Sequence, residues 1–337
     1  TISHFSLMVK ETSQMFVAGP PVVERSFGKP VGKNELGGSQ IHAHGSGAVD
    51  NEVESEAEAF EQIAQFLSYL PQSVWHLPPR VNFQDPADRK DESLLSVIPR
   101  DRRQMYEVRE VIAGIVDKDS FFEINAGYGR SLAIGLARLD GYAVGIMAND
   151  TKCHGGAVDA QSSEKMMRFV DLCDTFHLPV INLVDNPGFL IGIEAEEAGT
   201  VRLGSRALMA CLQATVPWVS VIIRRCYGVA GAGHGNSDGL NLRYAWPSAD
   251  WGSLPIEGGV QAAYRREIEA ADDPDAKRRE IEAMLEQYRS PLRTAEAFGI
   301  EEVIDPRDTR PLLCDWVKLA YDLTATQLGP KARTTRP

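Results

Sequence analysis

The sequence predicts an α/β fold built around a sheet with buried parallel strands. Apolar, β-branched runs alternate with stretches of helical periodicity through most of the chain, which indicates a stacked β/α core. Two of these runs break abruptly into glycine-containing turns that lead into potential helices. The 337 residues are 43% hydrophobic and 24% charged, a composition typical of soluble globular proteins.

The first part of the chain is predicted to hold strand and turn segments followed by one helix. Over residues 52–70, apolar side chains recur every three or four positions among many glutamates, the pattern of an amphipathic helix. Pro71 ends that helix because proline lacks the backbone donor that a helix requires. Residues 72–100 are rich in proline and polar side chains and indicate a linker.

A second unit is predicted to begin near Asp101. A helix is expected over 106–116, followed by strands over 121–126, 132–139 and 142–147, with Asp140-Gly141 as a hairpin turn. A helix over 163–176, capped by Ser162 or Ser163, precedes a buried strand over 180–185. A helix over 194–214 and a strand over 218–224 follow. Residues 256–285 are predicted to be helical with a break at 272–274, and two further helices precede a polar tail.

The two strand-to-turn stretches are the main functional signal. They are residues 182–192, NLVDNPGFLIG, and residues 214–231, ATVPWVSVIIRRCYGVAG. Glycine lets bare backbone approach a ligand, and amides beside a helix N-terminus favour negative charge. Two such turns about 40 residues apart indicate acyl or carboxyl chemistry assisted by backbone amides.

Bulk properties narrow the possible functions. A net charge of −12 argues against nucleic-acid binding as the main role. The five cysteines are scattered without zinc or redox spacing, which fits reduced thiols in the cytoplasm and predicts no metal. The longest apolar run, over 216–223, is too short to span a bilayer.

The order of several motifs resembles a known family. Besides the two turns, these are MVKETS at 8–13, ELGG at 35–38, FLSYLP at 66–71, FFE at 121–123 and YAWP at 244–247. Together they resemble the carboxyltransferase (beta) subunit of biotin-dependent acyl-CoA carboxylases, of the propionyl-CoA carboxylase and methylmalonyl-CoA carboxyltransferase type.

The resemblance implies a crotonase-like (ClpP/crotonase) ββα superhelix, in which two such domains follow each other. Residues 1–71 would be the C-terminal part of the first, acyl-CoA-side domain, so that this domain is truncated. Residues 72–100 would be the linker, and residues 101–330 a complete second, biotin-side domain. The turn that would hold the thioester oxygen would then lie before Thr1.

The resemblance also assigns a site. Val229 and Ala230 match positions whose backbone amides bind the ureido oxygen of biotin. The implied cofactor-binding residues are Gly188, Phe189, Tyr227, Gly228 and Gly231, with Phe189 packing against the biotin ring. The family usually has glycine where this chain has Val229, so the resemblance does not determine the shape of the biotin pocket. Gly231 and Ala232 are small where the family is bulkier, which leaves room for a longer acyl group.

The activity implied is transfer of a carboxyl group from carboxybiotin to the α carbon of an acyl-CoA, using two oxyanion holes. Biotin would arrive on the carrier domain of a partner that also holds biotin carboxylase, and the assembly would be a homo-oligomer, a hexamer built from dimers. An acyl-CoA decarboxylase subunit of the same fold and a non-catalytic scaffold subunit remain as alternatives.

Other side chains have simpler interpretations. Asp185 is expected to cap its turn by bonding nearby amides. Asp101-Arg102-Arg103 and Arg265-Arg266 are expected to be solvated helix residues. His234 lies in a polar loop and is weighed as a surface histidine against a general base or ligand contact.

Overall fold

The computed structural model describes residues 3–233, 239–252, 256–286, 289–333 and 336. His234 therefore lies outside the described residues. The strands are β1 Leu7–Val9, β2 Asn51–Val53, β3 Phe122–Ile124, β4 Leu132–Leu139, β5 Tyr142–Asn149, β6 Val180–Asn186, β7 Trp218–Tyr227, β8 Asn241–Ala245, β9 Asp250–Gly252 and β10 Glu302–Val303.

From Phe122 onward the helices alternate with these strands as the sequence predicts, whereas two short helices before residue 40 lie where only strand and turn segments were expected. The helices are α1 Pro20–Phe27, α2 Lys33–Gly37, α3 Glu56–Tyr69, α4 Val108–Ile115, α5 Ala160–Thr175, α6 Ile193–Glu197, α7 Thr200–Gln213, α8 Gly228–Ala232, α9 Ile256–Ala263, α10 Arg265–Glu269, α11 Pro274–Glu286, α12 Pro291–Glu296 and α13 Thr309–Thr324. None of them has both the length and the apolar character that crossing a bilayer would need.

One mixed sheet organises the chain. Its strand order is β10-β8-β7-β6-β5-β4-β3, and β9 also pairs with β7. The pairs β3–β4 and β4–β5 are antiparallel, whereas the pairs β5–β6, β6–β7 and β7–β8 are parallel. The α/β prediction is confirmed, and β6 and β7 lie side by side in the parallel part.

Both faces of this sheet are covered by helices. On one face, Ile181 and Leu183 of β6 belong to a core with residues of α4 and α13; on the other, Val180 belongs to a core with residues of α5 and α7. Strands buried on both faces require continuous apolar runs, and β4, β6 and most of β7 are fully buried. These runs are what made the central strands predictable.

Three helix predictions need correction. Helix α5 begins at Ala160, because Asp159 is its N-cap: its Oδ1 accepts from the Ser162 amide at 2.7 Å. The single helix predicted over 194–214 is two, α6 and α7, because Gly199 between them has φ +79°. The stretch 256–285 forms three helices rather than one with a single break.

The end of α3 packs onto the edge of the sheet. The Tyr69 hydroxyl at the end of α3 donates to the Ser120 carbonyl at 2.5 Å, and Arg138 of β4 donates to the Ser68 carbonyl at 2.8 Å. Residues 72–100 hold a short 3₁₀ turn over Glu92–Leu95 and are fixed by Arg310, which donates to the carbonyls of Asp85 and Pro86.

The Asp140-Gly141 turn is present as predicted, and a side chain at Gly141 would not be tolerated. Gly141 has φ +78°, and an added Cβ would overlap the Val81 carbonyl oxygen. Gly28 has a similar φ of +70° with open space around it. We expect Gly141→Ala to lower the free energy of unfolding by about 3 kcal/mol and Gly28→Ala by about 1 kcal/mol. Urea unfolding of both variants measures the difference, and equal losses would contradict the steric explanation.

Candidate functional site

The two glycine-containing turns are adjacent in space. They follow the parallel strands β6 and β7, so both lie at the carboxyl edge of the sheet. An ideal Cβ on Gly188, in the first turn, would lie 3.8 Å from the Tyr227 carbonyl oxygen at the start of the second. The sheet therefore joins two motifs that are about 40 residues apart in sequence.

A fully buried carboxylate joins the two strands just before these turns. Oδ2 of Asp185 accepts from Nε of Arg224 and from the hydroxyl of Tyr106, both at 2.9 Å. Its Oδ1 accepts from Nε and the backbone amide of Arg225 at 2.6 and 3.1 Å. Burial and the neighbouring carboxylate raise the pKa of Tyr106 well above its ordinary value, so it stays a hydroxyl donor.

The pairing of β6 with β7 explains how two consecutive arginines reach one carboxylate. Neighbouring strand residues normally point to opposite faces of a sheet. Here Val184 pairs with Ile222 and Asn186 pairs with Cys226, so β7 has two more residues than β6 across this interval. Such a bulge redirects side chains and is frequent next to active sites.

Asp185 does not cap its own turn, so that expectation is wrong. The Gly188 amide donates instead to Oδ1 of Asn186 at 2.9 Å, an Asx-type contact within the turn. Gly188 has φ +115°, which only glycine adopts readily. The chain then pairs with Val158, whose amide donates to the Gly188 carbonyl at 3.0 Å.

Phe189 projects into the layer between the sheet and α7. It is half-buried and packs against the apolar core on this side. An added Cβ on Gly204 of α7 would overlap the Phe189 ring, so Gly204 makes room for it. No local pattern singles out Gly204, because a lone glycine in a helical pattern has many explanations.

The second turn consists of the end of β7 and the short helix α8. Gly228 has φ +61°, which allows the chain to reverse into the helix. The Val229 side chain is 69% exposed, whereas Ala230 is buried at 7%. The backbone amides of Val229 and Ala230 lie in the first turn of α8, where an N–H group has no intrahelical acceptor. Neither amide has a hydrogen-bond acceptor among the described residues.

Gly231 and Tyr227 take positions that the sequence did not indicate. A Cβ on Gly231 would lie 2.7 Å from the Cys226 carbonyl carbon, so the chain's own backbone occupies the space that a side chain at Gly231 would take. The Tyr227 hydroxyl donates to the buried Asp250 at 2.6 Å and accepts from Arg289 at 3.0 Å. Its side chain thus joins a polar cluster, and its backbone alone borders the turn.

Ala230 and Phe189 line a cavity of about 20 Å³ between the sheet and helices α5 and α7. Most of the lining is apolar, but three buried asparagines, Asn149, Asn182 and Asn186, also face it. Roughly 10–15 Å³ of such volume holds one water molecule. The cavity therefore has room for one small molecule and none for a fused ring.

A larger cleft of about 470 Å³ borders the β7 end of the site and is lined by arginines. They are Arg100, Arg102, Arg103, Arg224, Arg225 and Arg289. The prediction that Arg102 is a solvated helix residue is correct about its exposure and wrong about the helix: its side chain is exposed, but residues 101–107 are not helical, and its Nη1 donates to Asp250 at 2.7 Å. Arg265 is on α10 and pairs with Glu269 at the surface, as expected.

Among residues the structure describes, no group of three or more histidine, cysteine or acidic side chains could hold a metal ion. His42 contacts the Met15 carbonyl at 2.7 Å through Nε2, and His44 lies beside Glu52. Both histidines thus have structural neighbours.

Comparison with known proteins identifies the family. Residues 1–334 match the carboxyl transferase domain. The chain belongs to the carboxyl transferase family.

Relatives and solved structures agree with that assignment. The chain is 39% identical over 311 residues to the propionyl-CoA carboxylase carboxyltransferase subunit of Haloferax mediterranei, covering 92% of this chain and 60% of the relative. It is 38% identical over 339 residues to the methylmalonyl-CoA carboxyltransferase 12S subunit of Propionibacterium freudenreichii subsp. shermanii, covering 100% and 62%. The chain thus spans about three fifths of the length of these relatives.

The fold is also shared with a solved structure. A transcarboxylase 12S crystal structure, described as a hexamer with methylmalonyl-coenzyme A and methylmalonic acid bound, superimposes with a TM-score of 0.88 at 35% identity. The match covers 99% of this chain and 63% of that one. The predicted crotonase-like carboxyltransferase fold is confirmed.

The Asp185 cluster provides a direct test of the site's framework. We expect Asp185→Asn to lower the free energy of unfolding by about 3 kcal/mol or more, because the buried Arg224 and the partly buried Arg225 lose their counter-charge. Asp315, which is 81% exposed and pairs with Lys318, is the matched control. Asp315→Asn should change stability by less than about 0.5 kcal/mol. Urea unfolding measures both, and similar losses would show that the cluster does not hold the turns in place.

Proposed function

We propose that the chain is the carboxyltransferase component of a biotin-dependent acyl-CoA carboxylase. It would move a carboxyl group from carboxybiotin to the α carbon of an acyl-CoA. The observation that carries this proposal is the pair of adjacent glycine turns at the ends of β6 and β7, in a chain of the carboxyl transferase family. Relatives named for propionyl-CoA and methylmalonyl-CoA carboxyl transfer support it.

The Val229 and Ala230 amides are proposed to form the oxyanion hole for the ureido oxygen of biotin. When bound, biotin supplies the carboxyl group and a nitrogen that can take up the substrate's α proton. Two first-turn amides without acceptors suit an oxygen that gains negative charge. An amide donor in such a hole is typically worth about 3 kcal/mol of barrier.

Buried acids near the turns are not available as a general acid or base. Asp185 accepts four hydrogen bonds, which occupy its two oxygens, and Asp250 is bonded by Arg102, Arg289 and Tyr227. This agrees with a reaction in which backbone amides, rather than protein acids, stabilise the charge.

The biotin ring is proposed to lie at the surface of the two turns rather than inside. The cavity beneath them is too small for a fused ring, whereas Val229 is open to solvent. Gly188, Phe189, Tyr227, Gly228 and Gly231 would shape this surface, with Tyr227 contributing only backbone.

Biotin would arrive on a carrier domain of a partner with biotin carboxylase activity, in the cytoplasm. Residues 1–71, 72–100 and 101–330 are proposed as the end of an acyl-CoA-side domain, a linker and the biotin-side domain.

An apolar surface beside the turns supports assembly into an oligomer. Ile191 and Ile193 are 87% and 79% exposed, and Val201 and Val229 are also exposed. Clustered exposed apolar side chains mark interaction sites. With the hexameric transcarboxylase 12S as structural neighbour, we propose a symmetric hexamer.

A decarboxylase subunit of the same fold is the second candidate. The methylmalonyl-CoA decarboxylase subunit alpha of Veillonella parvula is 35% identical over 311 residues, covering 92% of this chain and 60% of the relative. Net turnover with each carboxyl donor in turn, together with the identity of co-purifying partners, distinguishes the two functions. A membrane-bound partner and net loss of carboxylate from an acyl-CoA would favour the decarboxylase.

The amide of Ala230 is the sharpest test of the proposed site. Ala230→Pro removes the donor without adding charge, and a first-turn proline costs no intrahelical hydrogen bond. In the assembled enzyme we expect carboxyl transfer to fall at least about a hundredfold, while the partner still forms carboxybiotin from ATP and bicarbonate. Ala230→Ser keeps the amide and should retain near-normal transfer.

Thermal unfolding of both variants controls for distortion of the turn. A stable Ala230→Pro variant with near-normal transfer would show that these amides have a structural role only, and the assignments of Val229 and Gly231 would be lost with it.

The proposed oligomer is tested by changing its surface. Light scattering of the purified chain at micromolar concentration should give a mass well above one subunit. Ile191→Glu with Ile193→Glu should lower that mass, because charges would enter an apolar contact. Replacing the exposed Leu319 of α13 by Glu is the matched control and should leave the mass unchanged. A monodisperse monomer before any substitution would contradict the proposal.

A further inference from the structure

The arginine-lined cleft beside the end of β7, with its volume of about 470 Å³, is large enough for a ligand of its own. Of the described residues that line it, six are arginines and one, Asp101, is acidic. Such a concentration of positive charge stands out in a chain of net charge −12. A cleft lined by charge of one sign attracts ions of the opposite sign, and the planar guanidinium group binds carboxylate or phosphate through two parallel hydrogen bonds. The lining therefore points to an anion.

Four of these arginines have donor groups without a hydrogen-bond partner in the described part of the chain. Arg224 and Arg225 both donate to Asp185 through Nε, but Nη2 of Arg224 and Nη1 of Arg225 have no partner there. The exposed guanidinium groups of Arg100 and Arg103 likewise have no hydrogen bond or ion pair with any described residue. Arginine stays protonated at physiological pH, so these groups are permanent cationic donors. The cleft thus offers charge and hydrogen bonds that its own acids do not use.

A second cleft, of about 560 Å³, adjoins the first at four shared arginines. They are Arg100, Arg102, Arg224 and Arg289. The rest of the described lining of this second cleft is mostly apolar and includes Leu94, Leu95, Ile98, Pro99, Trp246 and Pro247. Leu95 is 51% exposed, so an apolar side chain of this wall is open to a ligand. The two clefts join a cationic part to an apolar part, which suits a ligand with anionic groups at one end and a flat ring at the other.

We propose that the two clefts together bind a free nucleoside diphosphate. Arg100 and Arg224 line both clefts, so they hold the first phosphate, next to the base. Arg103 and Arg225 line only the arginine-rich cleft and hold the second phosphate. The base lies in the apolar cleft against Leu95, where arginine guanidinium planes can also stack on a flat ring. This site goes beyond the proposed function and does not depend on it.

Other anions use less of what the clefts offer. A single phosphate or carboxylate group leaves two of the four arginines and the whole apolar cleft unoccupied. The nucleotide part of coenzyme A has similar chemistry, but no described lining residue of either cleft comes from residues 1–71, the segment proposed as the end of the acyl-CoA-side domain. For this reason the clefts are assigned to a free nucleotide rather than to the acyl-CoA substrate.

Calorimetric titration of the full chain with ADP and AMP at low ionic strength tests the arginines. ADP should bind, and added salt should weaken its binding because exposed charges are screened. Arg103→Ala should weaken ADP binding about tenfold by removing charged hydrogen bonds to the second phosphate, but should leave AMP binding unchanged. Arg100→Ala should weaken the binding of both nucleotides. Arg25→Ala on α1 is the matched control, because Arg25 is also exposed but lines neither cleft.

The apolar cleft is tested by the same titration with a change at its wall. Leu95→Asn should weaken the binding of ADP and AMP about fivefold, because the base loses part of its apolar contact. The binding of pyrophosphate, which has no base, should stay unchanged in this variant. Leu319→Asn on α13 is the matched control, since Leu319 is similarly exposed but lines neither cleft. Thermal unfolding of every variant checks that the chain still folds.

Three results would overturn the proposal. The first is the absence of ADP binding, or ADP binding that neither arginine substitution weakens. The second is pyrophosphate binding as tight as that of ADP, which would mean an adventitious anion only. The third is coenzyme A binding at least about tenfold tighter than ADP, which would assign the clefts to the acyl-CoA substrate. All of these measurements concern binding, so none of the three results would refute the proposed carboxyl transfer.

Discussion

The contact of the buried Asp185 carboxylate with Arg224 and Arg225 is the interaction on which the site depends. Two consecutive strand residues meet one carboxylate only where the strand is bulged, and the register between β6 and β7 shifts at this point. The shift fixes where β7 ends and therefore where α8 begins. The positions of the Val229 and Ala230 amides thus follow from an ion cluster several residues earlier in the chain.

The main effect of the Asp185 cluster is to position the ends of the strands and the adjoining loops, rather than to stabilise the fold. Burying charges costs desolvation free energy that their attraction only partly returns. The benefit is geometric: Arg225 also donates to the Gly155 carbonyl at 2.6 Å, and Arg224 donates to the Gln104 carbonyl at 2.9 Å. One carboxylate thereby holds the ends of two strands and two loops in a single arrangement. In a chain of net charge −12, it also concentrates positive charge beside the turns, where an anion would be stabilised.

The sequence predicted those features that depend on local pattern. Fully buried parallel strands need long β-branched runs, so β6 and β7 were recognisable, and glycine at a required positive φ marked the turns. Features that depend on partners distant in sequence were not predictable. The meeting of Arg102 with Asp250, 148 residues away, and the bulge in β7 leave no local signal. Tyr227 shows the limit most clearly: its position beside the turn follows from the sequence, but the direction of its side chain depends on Arg289.

The same strand, β6, separates two kinds of chemistry by the alternation of its side chains. On one face Asp185 anchors a charged cluster, and on the other Asn182 and Asn186 face an uncharged cavity. The turn that follows β6 therefore has the arginines of the Asp185 cluster on one side and an uncharged pocket on the other. Charge that develops on an oxygen at the α8 amides would be stabilised by the first. The alternation of side chains along β6 thus keeps the ion cluster on one face and leaves the apolar layer around Phe189 uncharged on the other, where an unpaired ion would be costly.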